Sequence, residues 1–108
     1  MTFHQPENRE KKLLVPGIHI RTFWGENLLI SVVDFEAHAD VPCHSHSQEQ
    51  IIYLLEGNLE VHIGERIYTL RPGEFVIVPG EMEHSAKVGD QPAKGLDIFS
   101  PVREDLKY

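Results

Sequence analysis

Turn residues divide the chain into short apolar runs, and this pattern limits the possible folds more than any other feature. Gly, Pro, Asn and Asp occupy the gaps between runs, for example GN at 57–58 and RPG at 71–73. No stretch keeps a helical period over three turns. Short, evenly spaced runs of this kind predict an all-β sandwich or small barrel. The predicted strands are 18–24, 27–35, 50–56, 59–63, 66–70, 74–78, 84–88 and 94–100.

The predicted strands differ in how many apolar faces they have. LEVHI at 59–63 alternates strictly, so one face is apolar and the other is polar. The runs at 50–56 and 74–78 are apolar on both faces. Because a small barrel covers only one face of each strand, the second face needs another cover. A partner subunit in a homodimer is the expected cover, and an N-terminal arm folded over the face is the alternative.

Length, cysteine content and charge narrow the class of protein. The 108 residues predict one domain, 1–108, with a flexible arm at 1–12 and a short tail at 101–108. The single cysteine, Cys43, cannot form an internal disulfide, and the polar N-terminus is unlike a secretory signal, so a cytoplasmic location is expected. No apolar run is long enough to span a membrane. The net charge of −7 argues against nucleic acids and anionic membranes as partners.

Three histidines have the spacing of a metal site. His44 and His46 are two residues apart, so on an extended segment both point the same way. The first segment reads H-x-H-x3-Q-x6-G from His44 to Gly57, and a second, G-x5-P-x4-H, ends at His84. An H-x-H pair alone also occurs in polar loops. A third imidazole after a proline-bearing turn favours a metal site.

These two segments resemble the two sequence motifs of the cupin family, G-x5-H-x-H-x3,4-E-x6-G and G-x5-P-x-G-x2-H-x3-N. The chain departs from the motifs at His38, Gln50, Glu81 and Val88. The resemblance implies a cupin-type antiparallel β-barrel, or jelly roll, with one divalent transition metal inside. The metal ligands it implies are His44, His46, Gln50 and His84.

A glutamine at the carboxylate position changes the expected chemistry. Three imidazoles and an amide are all neutral, so the metal keeps its full +2 charge and becomes a stronger Lewis acid. In one alternative Gln50 is not a ligand, and in another Glu49 replaces it. The metal can be nickel, zinc, manganese, iron or copper, since these ligands suit all five.

The remaining histidines and the cysteine match no ligand position. Strand parity points Cys43 away from the metal, and a buried structural thiol is expected. The other four histidines are expected to be solvated: His4, His19, His38 and His62.

A second informative stretch is LDIFSPVRED at 96–105. Asp97 and Phe99 share one strand face, and Leu96 and Ile98 share the other. An ionisable group beside an aromatic within a strand is unusual unless that face lines a pocket. Periodicity alone leaves open which of the two faces is inside.

HSHSQEQIIYLLEG, then EHSA at 83–86, then D-x-F-x3-R at 97–103, resemble the pectin-degradation cupins of the KdgF type. That group acts on 4,5-unsaturated uronates and drives ring opening to the linear keto form. The resemblance implies a small anionic sugar acid as substrate, Asp97 and Arg103 as catalytic residues, and Phe99 and Arg103 as substrate-binding residues. The alternatives are a cupin dioxygenase and a non-catalytic sugar-binding or sensor cupin.

Overall fold

The computed structural model describes residues 2–108, which form ten β-strands and two short 3₁₀ helices. The helices are Pro6–Asn8 and Glu104–Leu106. The strands are β1 (Lys12–Val15), β2 (Ile18–Trp24), β3 (Leu29–Phe35), β4 (Asp40–His44), β5 (Glu49–Glu56), β6 (Leu59–Ile63), β7 (Arg66–Leu70), β8 (Phe75–Val78), β9 (His84–Val88) and β10 (Ala93–Ser100).

The strands form two antiparallel sheets that enclose one core. The large sheet has the order β1-β2-β3-β10-β5-β8, and the small sheet has the order β4-β9-β6-β7. Every strand pair in the described residues is antiparallel. The predicted all-β class is therefore confirmed.

Alternation along β6 shows how the core is built. Leu59, Val61 and Ile63 are buried between the sheets. Glu60 and His62 face outward, where their side chains lie 3.0 Å apart. Burying one aliphatic side chain of this size contributes about 1.5–3 kcal/mol, so the inward face determines the register of the strand.

Two strands that the pattern did not predict, β1 and β4, lie at sheet edges. Strand β4 contains Pro42, which has no N–H to donate to a ladder and is tolerated mainly at edges. Its pairing with β9 accordingly shifts register between Val41 and His44. The stretch 101–108 is also better anchored than the predicted tail, because Leu106 is buried in the core. The Thr22 hydroxyl donates to the carbonyl oxygen of Leu106 at 2.7 Å.

The outer face of the large sheet carries exposed apolar side chains at β8, its edge. Phe75 is 55% exposed and Ile77 is 52% exposed. The N-terminal arm lies near β2, at the other end of this sheet: Arg21 Nε donates to the carbonyl of Arg9 at 2.8 Å, and Tyr108 Oη donates to the carbonyl of Glu10 at 2.8 Å. The arm therefore lies on the outer face at β2, and Phe75 and Ile77 at β8 stay exposed.

Among residues 2–108, no helix has the length and apolar character that crossing a membrane requires.

Candidate metal centre

The three histidines predicted as ligands converge at one end of the barrel. His44 is the last residue of β4, His84 is the first of β9, and the two are register partners. His46 lies in the loop that leads to β5. The candidate ligand nitrogens of the three imidazoles all lie within 4.8 Å of one another, so one ion could reach all of them.

Backbone carbonyls orient each of the three imidazoles in the same way. Since a carbonyl oxygen can only accept, each Nδ1 must carry the proton and donate it. Each Nε2 then has a lone pair directed at the common centre, an arrangement typical of histidine metal ligands. The contacts are His44 Nδ1 to Pro42 O at 2.9 Å, His46 Nδ1 to Gln48 O at 3.0 Å, and His84 Nδ1 to Met82 O at 2.8 Å.

Gln50 completes the cluster from the large sheet. Its Oε1 lies 3.0 Å from His46 Nε2 and 3.1 Å from His84 Nε2. Its interaction with the Asp97 carboxylate acts to lower the pKa of Asp97, and only the amide nitrogen of Gln50 can donate to that carboxylate. Oε1 and the two Nε2 atoms therefore all present lone pairs to one point.

A divalent cation satisfies all three converging acceptors at once. Burial lowers the pKa of His46, and also that of His84. Protonation is therefore disfavoured at neutral pH, and the residues fit a divalent cation. Nitrogen and amide-oxygen donors suit several first-row transition metals.

The loop that carries His46 is held by the turn at 79–82. The Glu81 N–H donates to the carbonyl of His46 at 2.7 Å. A Cβ on Gly80 would lie 2.5 Å from the Ser47 carbonyl oxygen, so the two backbones approach too closely for a side chain there. Glu81 has φ 68° and His38 has φ 63°, the left-handed region where glycine is preferred. These two residues stand at glycine positions of the cupin motifs, so the chain keeps the backbone conformation without the glycine.

A cavity of about 280 Å³ lies beside the imidazoles. One part of its wall is polar and contains His44, Gln50, His84, Ser31, Asp97 and Arg103. The rest is apolar and includes Ile18, Ile20, Val33 and Ile52. A ligand with one charged, hydroxylated end could contact the metal position and the polar wall at once.

Asp97 and Phe99 lie on the face of β10 that points into the barrel. Both side chains line the cavity. Asp97 is partly exposed, as expected for a side chain that faces a cavity. Burial raises the pKa of Asp97 to about 6, although the Gln50 hydrogen bond and the Arg103 charge act in the opposite direction. A carboxyl group with a pKa near neutral can both accept and release a proton. Periodicity left open which face of this strand is inside, and the structure places Asp97 and Phe99 on the inner face.

Arg103 follows β10 and also lines the cavity. Its guanidinium carbon lies 5.1 Å from the centre of the Phe99 ring. Asp105 accepts from Arg103 Nε at 3.3 Å and from Nη2 at 2.6 Å. Three of the five N–H donors of the guanidinium remain for another partner. The ion pair orients Arg103 and leaves one edge of its fork for an anion.

The four histidines that match no motif position stay outside the cluster. Two of them have other partners: His62 contacts Glu60, and the His4 ring packs 4.6 Å from the Phe23 ring. Cys43 does not line the cavity, but the expectation of a buried thiol is wrong, because Cys43 is exposed. It lies on an edge strand, whose outer side no other strand covers.

Two residues near the site were not identified from the sequence. Asp105 seemed part of a polar tail, and only the turn after β10 brings it to Arg103. Ser31 is buried on β3 with no hydrogen-bond partner for its hydroxyl among the described residues. A small polar residue inside an apolar strand is the only sequence feature that could have indicated it.

Comparison with known proteins agrees with this geometry. A model of the cupin domain family matches residues 31–99. None of the curated proteins matches the chain significantly. The structure of KdgF from Halomonas sp. superposes with a TM-score of 0.93 at 26% identity, covering 99% of both chains.

Two further structures extend the comparison. An RmlC-like cupin from Shewanella frigidimarina superposes with a TM-score of 0.92 at 26% identity, covering 99% of this chain and 96% of the other. The polyketide cyclase RemF from Streptomyces resistomycificus has a TM-score of 0.82 at 17% identity, covering 94% and 79%, respectively. RemF shares the fold alone. The jelly-roll barrel and the likeness to KdgF-type cupins are thus both confirmed.

Proposed function

Because the chain belongs to the cupin domain family, we propose that it is a metal-dependent enzyme that converts a 4,5-unsaturated uronate to its linear keto form. One observation carries the proposal. A single cavity combines a cluster of neutral metal-binding side chains with an inward carboxyl group, Asp97, and a guanidinium group, Arg103. The likeness to KdgF along 99% of both chains supports the same proposal.

The proposed reaction is an isomerisation. The proton of the anomeric hydroxyl leaves, the bond between C1 and the ring oxygen breaks, and C1 becomes an aldehyde. The freed enol at C5 becomes a ketone when C4 accepts a proton. One proton leaves and one arrives, so no oxidant, reductant or water is consumed.

The residues of the cavity have distinct roles in this proposal. Arg103 binds the substrate carboxylate through the N–H groups that Asp105 leaves available. Asp97 transfers the proton, and its raised pKa suits exchange near neutral pH. Phe99 forms the wall between them and supports the Arg103 guanidinium.

His44, His46, Gln50 and His84 would hold the metal. When bound, the metal supplies Lewis acidity that polarises oxygen atoms of the substrate. Because all four ligands are neutral, the site keeps the full +2 charge and favours an anionic ligand.

The same neutral ligand set argues against the cupin dioxygenase. Replacing a carboxylate by an amide raises the reduction potential of a bound iron, which opposes oxygen activation. An inward carboxyl group whose pKa is raised to about 6 suits proton transfer, which a purely sugar-binding cupin does not need. The enzyme is therefore the better-supported function.

Metal analysis and a turnover assay together test the proposal. We expect about one divalent ion per chain, and metal-dependent loss of the absorbance of the conjugated double bond in unsaturated galacturonate. Metal-dependent oxygen consumption without loss of that absorbance would favour a dioxygenase. Tight binding of the sugar acid without turnover would favour a binding module.

We also infer that two copies of the chain pair through the outer face of the large sheet. Phe75 and Ile77 are more than half exposed there, and the arm leaves them uncovered. An apolar strand edge of this kind is an aggregation risk unless a partner covers it. A second copy supplies a self-complementary cover.

Two exposed isoleucines on edge strands give a matched test of this pairing. Ile77 on β8 is 52% exposed, and Ile67 on β7 of the small sheet is 61% exposed. Light scattering at micromolar concentration should give a dimer for the parent and for Ile67→Asp, and a monomer for Ile77→Asp. A monomeric parent would refute the pairing.

A further inference from the structure

Ser31 has a buried hydroxyl group without a partner. The residue is 1% exposed, and its Oγ makes no hydrogen bond to any atom of residues 2–108. Buried hydroxyl groups in proteins are normally hydrogen-bonded, because an unsatisfied one destabilises the fold. An alanine at this position would pack in the same space without that penalty. The packing of the fold therefore gives no reason for a hydroxyl group at position 31.

The neighbouring strand supplies a direct contrast. Thr22 on β2 is the register partner of Ser31 and faces the same way. It is also fully buried, but its hydroxyl donates to the Leu106 carbonyl at 2.7 Å. Ser31 lines the cavity, whereas Thr22 does not. The unpartnered hydroxyl thus belongs to the residue that lines the cavity, and the partnered one to the residue that does not.

On its other side, Ser31 is the register partner of Asp97 on β10. Directly opposed residues of an antiparallel pair have Cβ atoms about 4.5–5.5 Å apart and point to the same face. A substrate atom in contact with the Asp97 carboxyl group is therefore within reach of the Ser31 hydroxyl. The apolar side chains that line much of the cavity offer no hydrogen bonds to a sugar.

We propose that Ser31 is a substrate-binding residue whose hydroxyl hydrogen-bonds a hydroxyl or ring oxygen of the bound sugar acid beside Asp97. The identity of this ligand rests on the proposed function. A serine hydroxyl both donates and accepts, so it suits a sugar hydroxyl. It would also select for hydroxylated substrates, because an analogue lacking that oxygen would leave the serine unpaired.

The test compares Ser31→Ala with Thr22→Val. Each substitution removes one buried hydroxyl from the same face of adjacent strands. Three quantities are measured on metal-loaded protein: the melting temperature, the Kd for saturated D-galacturonate by calorimetry, and the KM for unsaturated galacturonate. D-galacturonate has no C4–C5 double bond and cannot form the keto product, so its Kd reports affinity without turnover to that product.

For Ser31→Ala we expect an unchanged or higher melting temperature, unchanged metal content, and about a 3- to 10-fold rise in Kd and KM, the range for one lost neutral hydrogen bond. Thr22→Val should instead lower the melting temperature by about 4–8 °C and keep the parental Kd.

Two results would overturn the inference directly. One is a loss of stability in Ser31→Ala as large as in Thr22→Val, which would mean a structural partner for the hydroxyl. The other is a parental Kd and KM in Ser31→Ala.

Failure of the proposed function gives a different pattern. A parent that binds D-galacturonate but does not convert the unsaturated sugar contradicts the reaction alone, and the Kd values still decide the role of Ser31. A metal-loaded parent that binds neither sugar acid overturns both.

Discussion

The two sheets contribute opposite kinds of group to the same cavity. The small sheet supplies His44 and His84, whose Nδ1 atoms are both tied to backbone carbonyls. The large sheet supplies Asp97, whose pKa is raised by burial, and Ser31, whose hydroxyl has no hydrogen-bond partner among the described residues. The two small-sheet imidazoles are hydrogen-bonded through Nδ1 and leave Nε2 for a metal, whereas the Ser31 hydroxyl has no partner within residues 2–108. The contrast separates metal binding from substrate chemistry.

Gln50 connects the two walls. It belongs to the large sheet, but its Oε1 reaches His46 and His84, while its side chain also acts to lower the pKa of Asp97. The amide therefore links the metal position to the proton-transfer group. Substitutions on the two walls should separate into those that lose the metal and those that keep it.

The largest effect is expected from His84→Ala on the small-sheet wall. Loss of one of three imidazoles should lower metal affinity by more than about 100-fold, since even residues that only orient a ligand cost 10- to 100-fold. Turnover should fall to the level without protein. Metal analysis after dialysis measures the first effect. His62→Ala, on the outer face of the same sheet, is the control and should keep the parental metal content.

Asp97→Asn tests the large-sheet wall. The protein should fold and keep its metal, but kcat should fall about 10²–10⁴-fold, the usual contribution of a positioned acid–base group. Steady-state kinetics and metal analysis of the same sample measure both. A variant that loses its metal would break the division between the walls, and a parental kcat would remove Asp97 from the mechanism.

A smaller effect is expected from Arg103→Ala. Loss of a charge-assisted contact to the substrate carboxylate should raise KM about 10- to 100-fold, with kcat within a few fold of the parent. Arg66→Ala, on the exposed strand β7, is the matched control and should leave both constants unchanged. A fall in kcat at constant KM would instead place Arg103 in the chemical step.

The sequence predicted eight strands, because turn residues separate their apolar runs. It did not predict β1 and β4, which lie at edges and bury few side chains. Pro42 and the polar residues around it hide β4, although this strand carries His44. The edge strands β7 and β8 were predicted from their apolar runs, whereas β1 and β4 were not, and form by pairing with β2 and β9.

The residues of the site also divide into those that the sequence predicted and those that it did not. The convergence of His44, His46 and His84 was predicted, because their spacing matches the two cupin motifs and the resemblance implies that these positions meet at one metal. Ser31 and Asp105 could not be predicted, since each acquires its importance from a residue far away in sequence. Cys43 was placed on the correct side of its strand, but the edge position that exposes it depends on sheet order.

The most direct test of the account is proton NMR of unsaturated galacturonate in D₂O, with metal-loaded and chelator-treated protein. We expect rapid loss of the C4 vinyl signal only with metal-loaded protein. It also predicts a linear keto product with deuterium on one face of C4, because Asp97 delivers the proton from a fixed position. Loss of the vinyl signal at the protein-free rate, or at the same rate with and without metal, would contradict the central claim.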